Sequence, residues 1–404
     1  MSDRSSMQDI KPLIREIVPA VISLRHEIHA HPEPGYEEVE TARRVLERLE
    51  GIPGIRIRQN IAETGIVATL GEEKDGPCVA LRADMDCLAL QEEGDKPYVS
   101  KKPGLMHACG HDGHTACLVG AALVLGKIQE DLAGPVKFIF QPAEEGGAGG
   151  LRMCQEGAME DPKVDAIYAL HCYAGPSLQV GEIGVCDGPV MAACGTFHIE
   201  ILGKGGHAAF PHTCVDPVYI GLQIGNALQS IVSRMTDPLD SVVVTISKFH
   251  AGTAINIIPD RAVMEGSVRA LKTELLREAM EEIEHQAKNT ARGLRGEARV
   301  ETKEVYPAVV NHPKTTGLFH EIVKSAGKSR SLKKNFPPML GGEDFAYYLQ
   351  GVPGTFWFLG TRPPDLTDYP LNHNPKFDFN DDAMETGIEM HCEIARRFAT
   401  RWNS

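Results

Sequence analysis

The sequence has no long hydrophobic run and no framework of closely spaced cysteines. No stretch approaches the roughly 20 apolar residues that a membrane-spanning helix needs. Charged residues interrupt residues 1–20, which therefore lack the apolar core of a secretory signal. The ten cysteines lie scattered over 404 residues, without the spacing of a disulfide scaffold and without a Cys-x-x-Cys redox pair. These absences predict a cytoplasmic protein with reduced thiols and no membrane attachment.

Positive charge is also scarce. The chain has 41 Lys and Arg against 55 Asp and Glu, a formal net charge of -14, and no basic run longer than two residues. Because such a chain repels phosphate backbones, we expect no nucleic-acid partner. A content of 42% hydrophobic and 24% charged residues is typical of a globular protein. The length exceeds what one hydrophobic core usually organises and predicts two domains.

Alternating helix and strand patterns predict an α/β domain with a mostly parallel sheet. An amphipathic helix with Leu13, Ile17, Val21 and Leu24 on one face follows Ile10. Apolar runs predict buried strands at residues 78–82, 136–140, 166–170 and 355–359. A final helix is expected from about residue 381.

The middle of the chain follows a different order of elements. Its patterns predict strand, helix, strand, strand, helix and strand at residues 196–202, 216–235, 241–249, 261–270, 273–294 and 298–305. This βαββαβ order is that of a ferredoxin-like unit. We therefore predict a smaller domain at residues 186–305, inserted in a catalytic domain made of residues 1–185 and 306–404.

Polar side chains follow three of the predicted strands. Asp84 and Asp86 follow the first, Glu144 and Glu145 the second, and His171 ends the third. Because ligands bind outside the carboxyl ends of strands in open α/β sheets, this convergence predicts a functional site. Read singly, the glutamate pair could be a solvated acidic turn, and His171 could be a core histidine.

A thiol and several imidazoles crowd the Gly-rich turn Met106-His-Ala-Cys-Gly-His-Asp-Gly-His-Thr115. Cys109 and His111 are two residues apart and can face one ion on an irregular turn, although the run could also be a helix-entry loop with incidental histidines. His373 is either a further ligand or a turn residue. Thiolate and imidazole donors favour Zn, Mn, Co or Ni over Ca or Mg. The five candidate ligands are Cys109, His111, Glu145, His171 and His373. Together they are enough to bind two metal ions, which is typical of a metal-dependent hydrolase.

Seven motifs, spread in order over nearly the whole chain, closely resemble metallopeptidase family 20. They are Arg82-Ala-Asp-Met-Asp86, the Met106–Thr115 run, Gln141-Pro-Ala-Glu-Glu-Gly-Gly147, Gly203-Lys-Gly-Gly-His-Ala-Ala209, Asn256-Ile-Ile-Pro-Asp260, Gly342-Glu-Asp-Phe345 and His373-Asn-Pro-Lys-Phe-Asp-Phe-Asn380. More narrowly, the sequence is similar to the amidohydrolase branch of that family, which contains hippurate hydrolases, N-acyl-amino-acid aminoacylases and indole-acetyl-amino-acid hydrolases.

The resemblance implies a role for each matching residue of the larger domain. Cys109 would bridge two divalent ions, and His111, Glu145, His171 and His373 would complete their ligands. Glu144 would be the general base that deprotonates water and later returns the proton to the leaving amine. Asp86 would support a metal-binding side chain. The neighbouring His107 and His114 are not ligands in the family.

The resemblance also implies that the smaller domain acts as a lid and forms a homodimer or homotetramer. His207, which could otherwise belong to a Gly-rich surface loop, would stabilise the oxyanion after domain closure or from a partner subunit. Asn256 and Arg269 are candidate anchors for the substrate carboxylate, and Gly342 is a further candidate substrate-binding residue. A strand arginine such as Arg269 could instead be a solvated surface charge.

The function implied is metal-dependent hydrolysis of an N-acyl or N-aroyl amino acid to a carboxylic acid and an amino acid. Two divalent ions are expected, Zn or Mn first, with Co or Ni as alternatives. Two departures from the family pattern, Cys87-Leu-Ala89 and Cys172-Tyr-Ala-Gly-Pro176, bear on the substrate. The alternatives are a dipeptidase or carboxypeptidase of the same fold, and a non-catalytic metal-binding relative.

Overall fold

The computed structural model describes residues 7–328, 331–366 and 368–402, which divide into two compact units. The larger unit covers the described residues of Met1–Gly188, Val310–Pro337 and Asp344–Ser404, and the smaller unit covers Pro189–Val309 and Pro338–Glu343. Residues 338–343, which the sequence pattern places in the catalytic domain, thus belong to the smaller unit. Two hydrogen bonds hold them there, from Met339 N to Val190 O (2.8 Å) and from Ala192 N to Gly341 O (2.9 Å).

The strands of the described residues are β1 (Arg56–Ile61), β2 (Gly65–Leu70), β3 (Cys78–Asp84), β4 (Val136–Gln141), β5 (Val164–Tyr173), β6 (Ile183–Val185), β7 (Gly188–Met191), β8 (Ala193–Leu202), β9 (Gly206–His207), β10 (Val242–Ala251), β11 (Ile257–Ile258), β12 (Arg261–Ala270), β13 (Glu297–Tyr306), β14 (Val309–Asn311), β15 (Leu332–Lys334) and β16 (Gly354–Gly360). The helices are α1 (Lys11–His29), α2 (Val39–Leu49), α3 (His111–Lys127), α4 (Glu144–Gly147), α5 (Gly149–Gln155), α6 (Pro217–Ser230), α7 (Thr273–Gly293), α8 (Pro313–Ser325), α9 (Ala346–Leu349) and α10 (Met384–Trp402). No helix among these residues is long and apolar enough to cross a bilayer.

The larger unit is built on an eight-stranded sheet in the order β1-β2-β4-β3-β5-β16-β6-β15. Its central strands β4, β3, β5 and β16 are parallel, while β2 and β6 pair antiparallel with their inner neighbours. The predicted α/β class with a mostly parallel sheet is confirmed. β3, β4 and β16 are buried along their whole length, which explains why they read as largely apolar runs, with Arg82 and Lys137 as buried exceptions.

Helix α1 packs against α3 through one apolar face. The buried residues of that face are Ile14, Ile17, Val21, Leu24 and Ile28, which recur at helical spacing. The sequence prediction named Leu13 where the structure buries Ile14, and Leu13 is only partly buried. Since Ile14, Ile17 and Val21 lie three and four residues apart, the apolar face runs along the helix from Ile14.

The smaller unit contains a four-stranded antiparallel sheet in the order β10-β12-β8-β13. Helices α6 and α7 pack against it and bury alternate side chains of β8, namely Phe197, Ile199 and Ile201. The predicted βαββαβ order is therefore present. One difference is that α6 ends at Ser230 and continues as a π-helical turn over Ile231–Met235.

A buried cluster of charges joins α1, the start of α3 and the segment before α10. Arg25 is fully buried and donates from Nε to Asp112 Oδ2 (2.8 Å), from Nη1 to Asp381 Oδ1 (2.8 Å) and from Nη2 to Asp378. His29 Nδ1 lies 2.9 Å from the same Asp112 oxygen. Although burial opposes it, Arg25 and His29 hold the pKa of Asp112 well below its usual value. Asp112 is thus a buried carboxylate that depends on these cations.

We expect Arg25→Met to lower the free energy of unfolding by about 3–5 kcal/mol, because breaking a buried ion pair leaves an uncompensated charge. Urea denaturation followed by circular dichroism measures the loss. Arg15→Met is the control, since within the described part of the chain Arg15 makes one ion pair, an exposed contact with Glu385 (3.6 Å). That control should cost less than about 1 kcal/mol. Equal losses in the two variants would contradict a structural role for the buried cluster.

Candidate metal centre and active site

Cys109 lies between two groups of potential metal ligands. Its Sγ is 3.5 Å from His171 Nε2 and 3.3 Å from His373 Nε2. His373 Nε2 is in turn 3.3 Å from Glu145 Oε1. The donor atoms of Cys109, His111 and His171 lie within 4.8 Å of one another, and so do those of Cys109, Glu145 and His373. The structure thus brings all five candidate ligands together, with Cys109 common to both groups.

The Cys109 turn is shaped by a glycine at the entry to α3. Gly110 has φ +88°, and a Cβ on it would lie only 2.4 Å from Cys172 Sγ. Glycine therefore lets the backbone turn tightly between Cys109 and His111, which begins the helix. His171 stands on β5, opposite Phe358 of β16. A helix start and a central strand together position three of the donors.

His373 reaches the centre from a separate turn in the C-terminal part of the chain. Its backbone is left-handed (φ 66°), and its N–H donates to Ala108 O at 2.7 Å. The neighbouring Asn372 donates from Nδ2 to Cys109 O at 3.2 Å. These two hydrogen bonds fix the His373 turn against the Cys109 turn.

The orientation of the imidazoles fits metal binding. His171 Nδ1 lies 2.8 Å from Cys172 O, and a carbonyl can only accept, so the Nδ1 carries the proton and Nε2 is left as an acceptor. His111 Nδ1 is held by Asp86, at 3.0 Å from its backbone O and 3.1 Å from Oδ1. Across the described residues, the buried atom His111 Nε2 has no hydrogen-bond partner. A divalent cation would satisfy it.

The electrostatics of the centre also favour a cation. Burial, reinforced by Glu145, raises the pKa of the Cys109 thiol well above its usual value. Burial also keeps the pKa of His171 well below its usual value, so this imidazole is neutral. For His111, burial lowers the pKa, but Asp84 and Asp86 prevail and raise it to about 10. Coordination to a divalent cation deprotonates a thiol that would otherwise stay neutral.

Asp86 and Glu144 stand directly beside the candidate ligands. Asp86 is almost fully buried and holds two of them, since its Oδ1 is 3.1 Å from His111 Nδ1 and its Oδ2 accepts from Glu145 N at 2.9 Å. Glu144 is also buried, and its carboxylate groups with His111 and Glu145. A second carboxylate is therefore available next to the candidate ligands for proton transfer.

Residues 80–397 match the family model described as "Peptidase family M20/M25/M40". The chain belongs to this family. The resemblance inferred from the seven motifs is thereby confirmed, and this M20-family chain is a hydrolase that acts on amide bonds through a metal-dependent reaction.

Named relatives of the M20-family chain act on different substrates. "IAA-amino acid hydrolase ILR1-like 4" of Arabidopsis thaliana is 38% identical over 385 residues, covering 94% of this chain and 85% of that protein. "Thermostable carboxypeptidase 1" of Saccharolobus solfataricus is 37% identical over 401 residues, covering 98% and 99%. A solved dinuclear metal-binding M20 peptidase from Bacillus subtilis is 34% identical, covers 96% of this chain and 99% of that one, and superposes with a TM-score of 0.80.

The smaller unit of the M20-family chain holds its four candidate residues in two local groups. His207 on β9 pairs with Ile257 of β11, and its side chain is exposed. Asn256, which directly precedes β11, accepts from Ala208 N at 3.0 Å through its backbone O. Elsewhere, Arg269 Nη1 contacts Cys194 Sγ. A Cβ at Gly342 would lie 2.5 Å from that sulfur and 3.4 Å from Arg269 Nη1. Gly342 and Arg269 are therefore neighbours.

His114 uses both ring nitrogens for hydrogen bonds. Its Nδ1 lies 2.7 Å from Asp84 Oδ1, and its Nε2 accepts from Cys172 N at 2.8 Å. His114 thus fixes the Asp84 side chain at the end of β3.

Asp344 is a buried residue to which the sequence analysis gave no role. It accepts from Gln141 Nε2 at 2.7 Å, Gly150 N at 2.7 Å and Arg82 Nη2 at 3.0 Å. Its own N–H donates to Glu144 Oε1 at 3.4 Å. The only signal in the sequence was its place in the Gly342-Glu-Asp-Phe345 motif.

Proposed function

We propose that this protein hydrolyses the amide bond of N-acyl or N-aroyl amino acids, releasing a carboxylic acid and an amino acid. The observation that carries the proposal is the pair of donor groups sharing Cys109, with the Glu144 carboxylate beside them. The relative named as a hydrolase of IAA-amino acids, 38% identical to this chain, supports the substrate class. A small-molecule conjugate is therefore the proposed substrate.

In this proposal Cys109 would help to hold both of two divalent cations. His111 and His171 would complete one site, and Glu145 and His373 the other. The thiolate, imidazole and carboxylate donors suit Zn or Mn, with Co or Ni as alternatives. When bound, such ions lower the pKa of water and polarise the amide carbonyl.

The remaining candidate residues would handle protons and bind the substrate. Glu144 would take a proton from water and deliver it to the leaving amine nitrogen, while Asp86 orients His111. The exposed imidazole of His207 would donate a hydrogen bond to the oxyanion, in its own subunit or across a dimer, which is worth about 2.7–4 kcal/mol. The substrate carboxylate would bind to Asn256, Arg269 and Gly342.

We further propose a homodimer or homotetramer assembled through the smaller unit. Large apolar side chains are exposed along α6 and the residues that follow it, namely Tyr219, Leu222, Val232, Met235 and Leu239. β10 is an edge strand of the four-stranded sheet in the smaller unit, so a strand of another subunit could pair with it. We place the protein in the cytoplasm, which is supported by its ten free thiols.

A substrate panel tests the proposed function. The metal-loaded protein is assayed with hippurate, N-acetyl-amino acids, indole-acetyl-amino acids and dipeptides. We expect the best acyl conjugate to exceed the best dipeptide in kcat/KM by about tenfold or more, because the two classes differ only in how the acyl pocket fits them. Rapid cleavage of dipeptides with negligible turnover of every acyl conjugate would contradict the proposal.

A dipeptidase or carboxypeptidase is the second candidate. It is favoured by the 37% identity to a protein named as a thermostable carboxypeptidase, over 98% of this chain. The proposed ligands and base are common to both reactions, so the two candidates differ only in the preferred substrate. The same panel measures that preference. A non-catalytic metal-binding protein would turn over neither class while still binding cations.

A further inference from the structure

The turn that carries Glu144 and Glu145 has an unusual backbone. Ala143 and Ala148, which flank α4, are left-handed with φ 52° and φ 54°, and Gly146 within it has φ 93°. L-alanine rarely adopts this conformation, because its Cβ crowds the backbone. Such residues persist only where the surrounding structure fixes them. Contacts from outside the turn must therefore hold Ala143 in place.

Glu38 supplies a direct contact to Ala143. The fully buried Glu38 carboxylate accepts the Ala143 N–H at 2.8 Å through Oε1. Its second oxygen, Oε2, accepts from Thr64 Oγ1 at 2.6 Å. Both oxygens are thus used to hold protein groups. Glu38 acts on the turn through the backbone amide of the residue that precedes Glu144.

The chain just before Glu38 contacts both ends of the same turn. Gly35 lies so close that a Cβ on it would be 2.8 Å from Ala143 Cβ. Tyr36 donates from its hydroxyl to Gly147 O at 2.7 Å. Residues 35–38, which we call the clamp segment, therefore hold the turn at Ala143 and at Gly147, on either side of the two glutamates.

A third anchor acts on the middle of the turn. Asp86 Oδ2 accepts from Glu145 N at 2.9 Å, and Asp86 also holds His111. Asp86 therefore acts on the candidate ligands directly. Glu38 acts on the turn through the Ala143 N–H, and among the described residues no hydrogen bond joins its carboxylate to a candidate ligand, so its contribution can be separated from that of the ligands by experiment.

We propose that Glu38 is a positioning residue which, by accepting the Ala143 N–H, fixes the left-handed turn and directs the Glu144 carboxylate at the reacting water. This inference rests on the role of Glu144 in the proposed function. A base misplaced by about 1 Å can lower a rate by as much as a hundredfold. The contribution of Glu38 should therefore appear in kcat and leave metal binding intact.

The decisive comparison is between Glu38→Leu and Glu38→Gln. Glutamine keeps one oxygen for the Ala143 N–H, and its amide can donate to Thr64 Oγ1, which is able to accept. Burial raises the pKa of Glu38 to about 7, so a neutral amide is a close replacement for the side chain. Leucine has a similar size but leaves the Ala143 N–H without its acceptor.

We expect Glu38→Leu to lower kcat by about tenfold to a hundredfold, with KM changed less than about twofold and two ions still bound. Glu38→Gln should restore kcat to within about threefold of the unaltered protein. Thr64→Val is the matched control, because it removes the other hydrogen bond of Glu38 and leaves Ala143 held. A Leu variant with unchanged kcat, or a Gln variant as slow as the Leu variant, would overturn the proposal.

Gly35→Ala provides a second route if Glu38→Leu fails to fold. The added Cβ would press on Ala143 while Glu38 stays in place. The same loss in kcat with unchanged KM is expected. Normal turnover in this variant would contradict the inference that the conformation of the turn positions Glu144.

Hydrogen–deuterium exchange gives a readout that does not depend on activity. Peptides covering residues 143–149 should exchange about tenfold faster in Glu38→Leu than in Glu38→Gln, because the turn loses its anchor. Equal exchange in the two variants would overturn the inference. If the unaltered protein hydrolyses no member of the substrate panel, the proposed function fails, while exchange still decides whether Glu38 fixes the turn.

Discussion

Replacing Glu144 by glutamine is expected to lower kcat/KM for amide hydrolysis by about a hundredfold to ten-thousandfold, the usual contribution of a positioned acid or base. The amide keeps the size of the carboxylate and can still accept from Asp344 N, which lies 3.4 Å away. It cannot take a proton from water at neutral pH. The variant should therefore fold and bind substrate while losing most of its turnover.

Metal content separates this effect from a damaged metal centre. Glu144→Gln should retain two ions per chain by elemental analysis, because each proposed site keeps its own ligands. Glu130→Gln, on an exposed side chain, is the control and should leave both turnover and metal content unchanged. Unaltered turnover in Glu144→Gln would refute the assigned base. Loss of an ion would instead make Glu144 a ligand.

Replacing Cys109 by alanine is expected to reduce bound metal from two ions per chain to fewer than one and to abolish hydrolysis. The reason is that Cys109 belongs to both donor groups, so each site would keep only two ligands. His373→Ala should remove less metal than Cys109→Ala, because, of the two donor groups, His373 belongs only to the one that contains Glu145. We expect that variant to retain about one ion per chain.

A cysteine outside the centre controls for the loss of a thiol. Cys154 on α5 is partly exposed, and Cys154→Ala should retain two ions and full turnover. Isothermal titration with Zn²⁺ or Mn²⁺ gives the stoichiometry for each variant. Two tightly bound ions in Cys109→Ala would contradict its role as the common ligand.

The fold could largely be predicted because its strongest elements carry local patterns. β3, β4 and β5 are apolar runs that end in polar residues, and β12 follows the predicted limits. The edge strand β1 was not predicted, because it reads Arg-Ile-Arg-Gln-Asn-Ile and most of its residues are only partly buried or exposed. An edge strand needs little apolar surface and so leaves a weak signal.

The candidate site could be predicted as a set of residues but not as a structure. Four of the five donors stood out because they follow or end strands or lie in a Cys-x-His turn, and His373 stood out only through its motif. Nothing local shows that Cys109 is common to two groups. Glu38 and Asp344 were missed because their partners are remote, Ala143 lying 105 residues from Glu38 and Gln141 lying 203 residues from Asp344. Hydrogen bonds over such separations leave no periodic pattern in a sequence.

The donors of the proposed metal centre are far apart along the chain, and this has a consequence for folding. Cys109 and His373 are separated by 264 residues, yet their side chains are 3.3 Å apart. An ion held by both would act as a cross-link across this separation, and it would bind the folded chain far better than the unfolded one. Metal supply would then set how long the folded protein persists, as well as how fast it works.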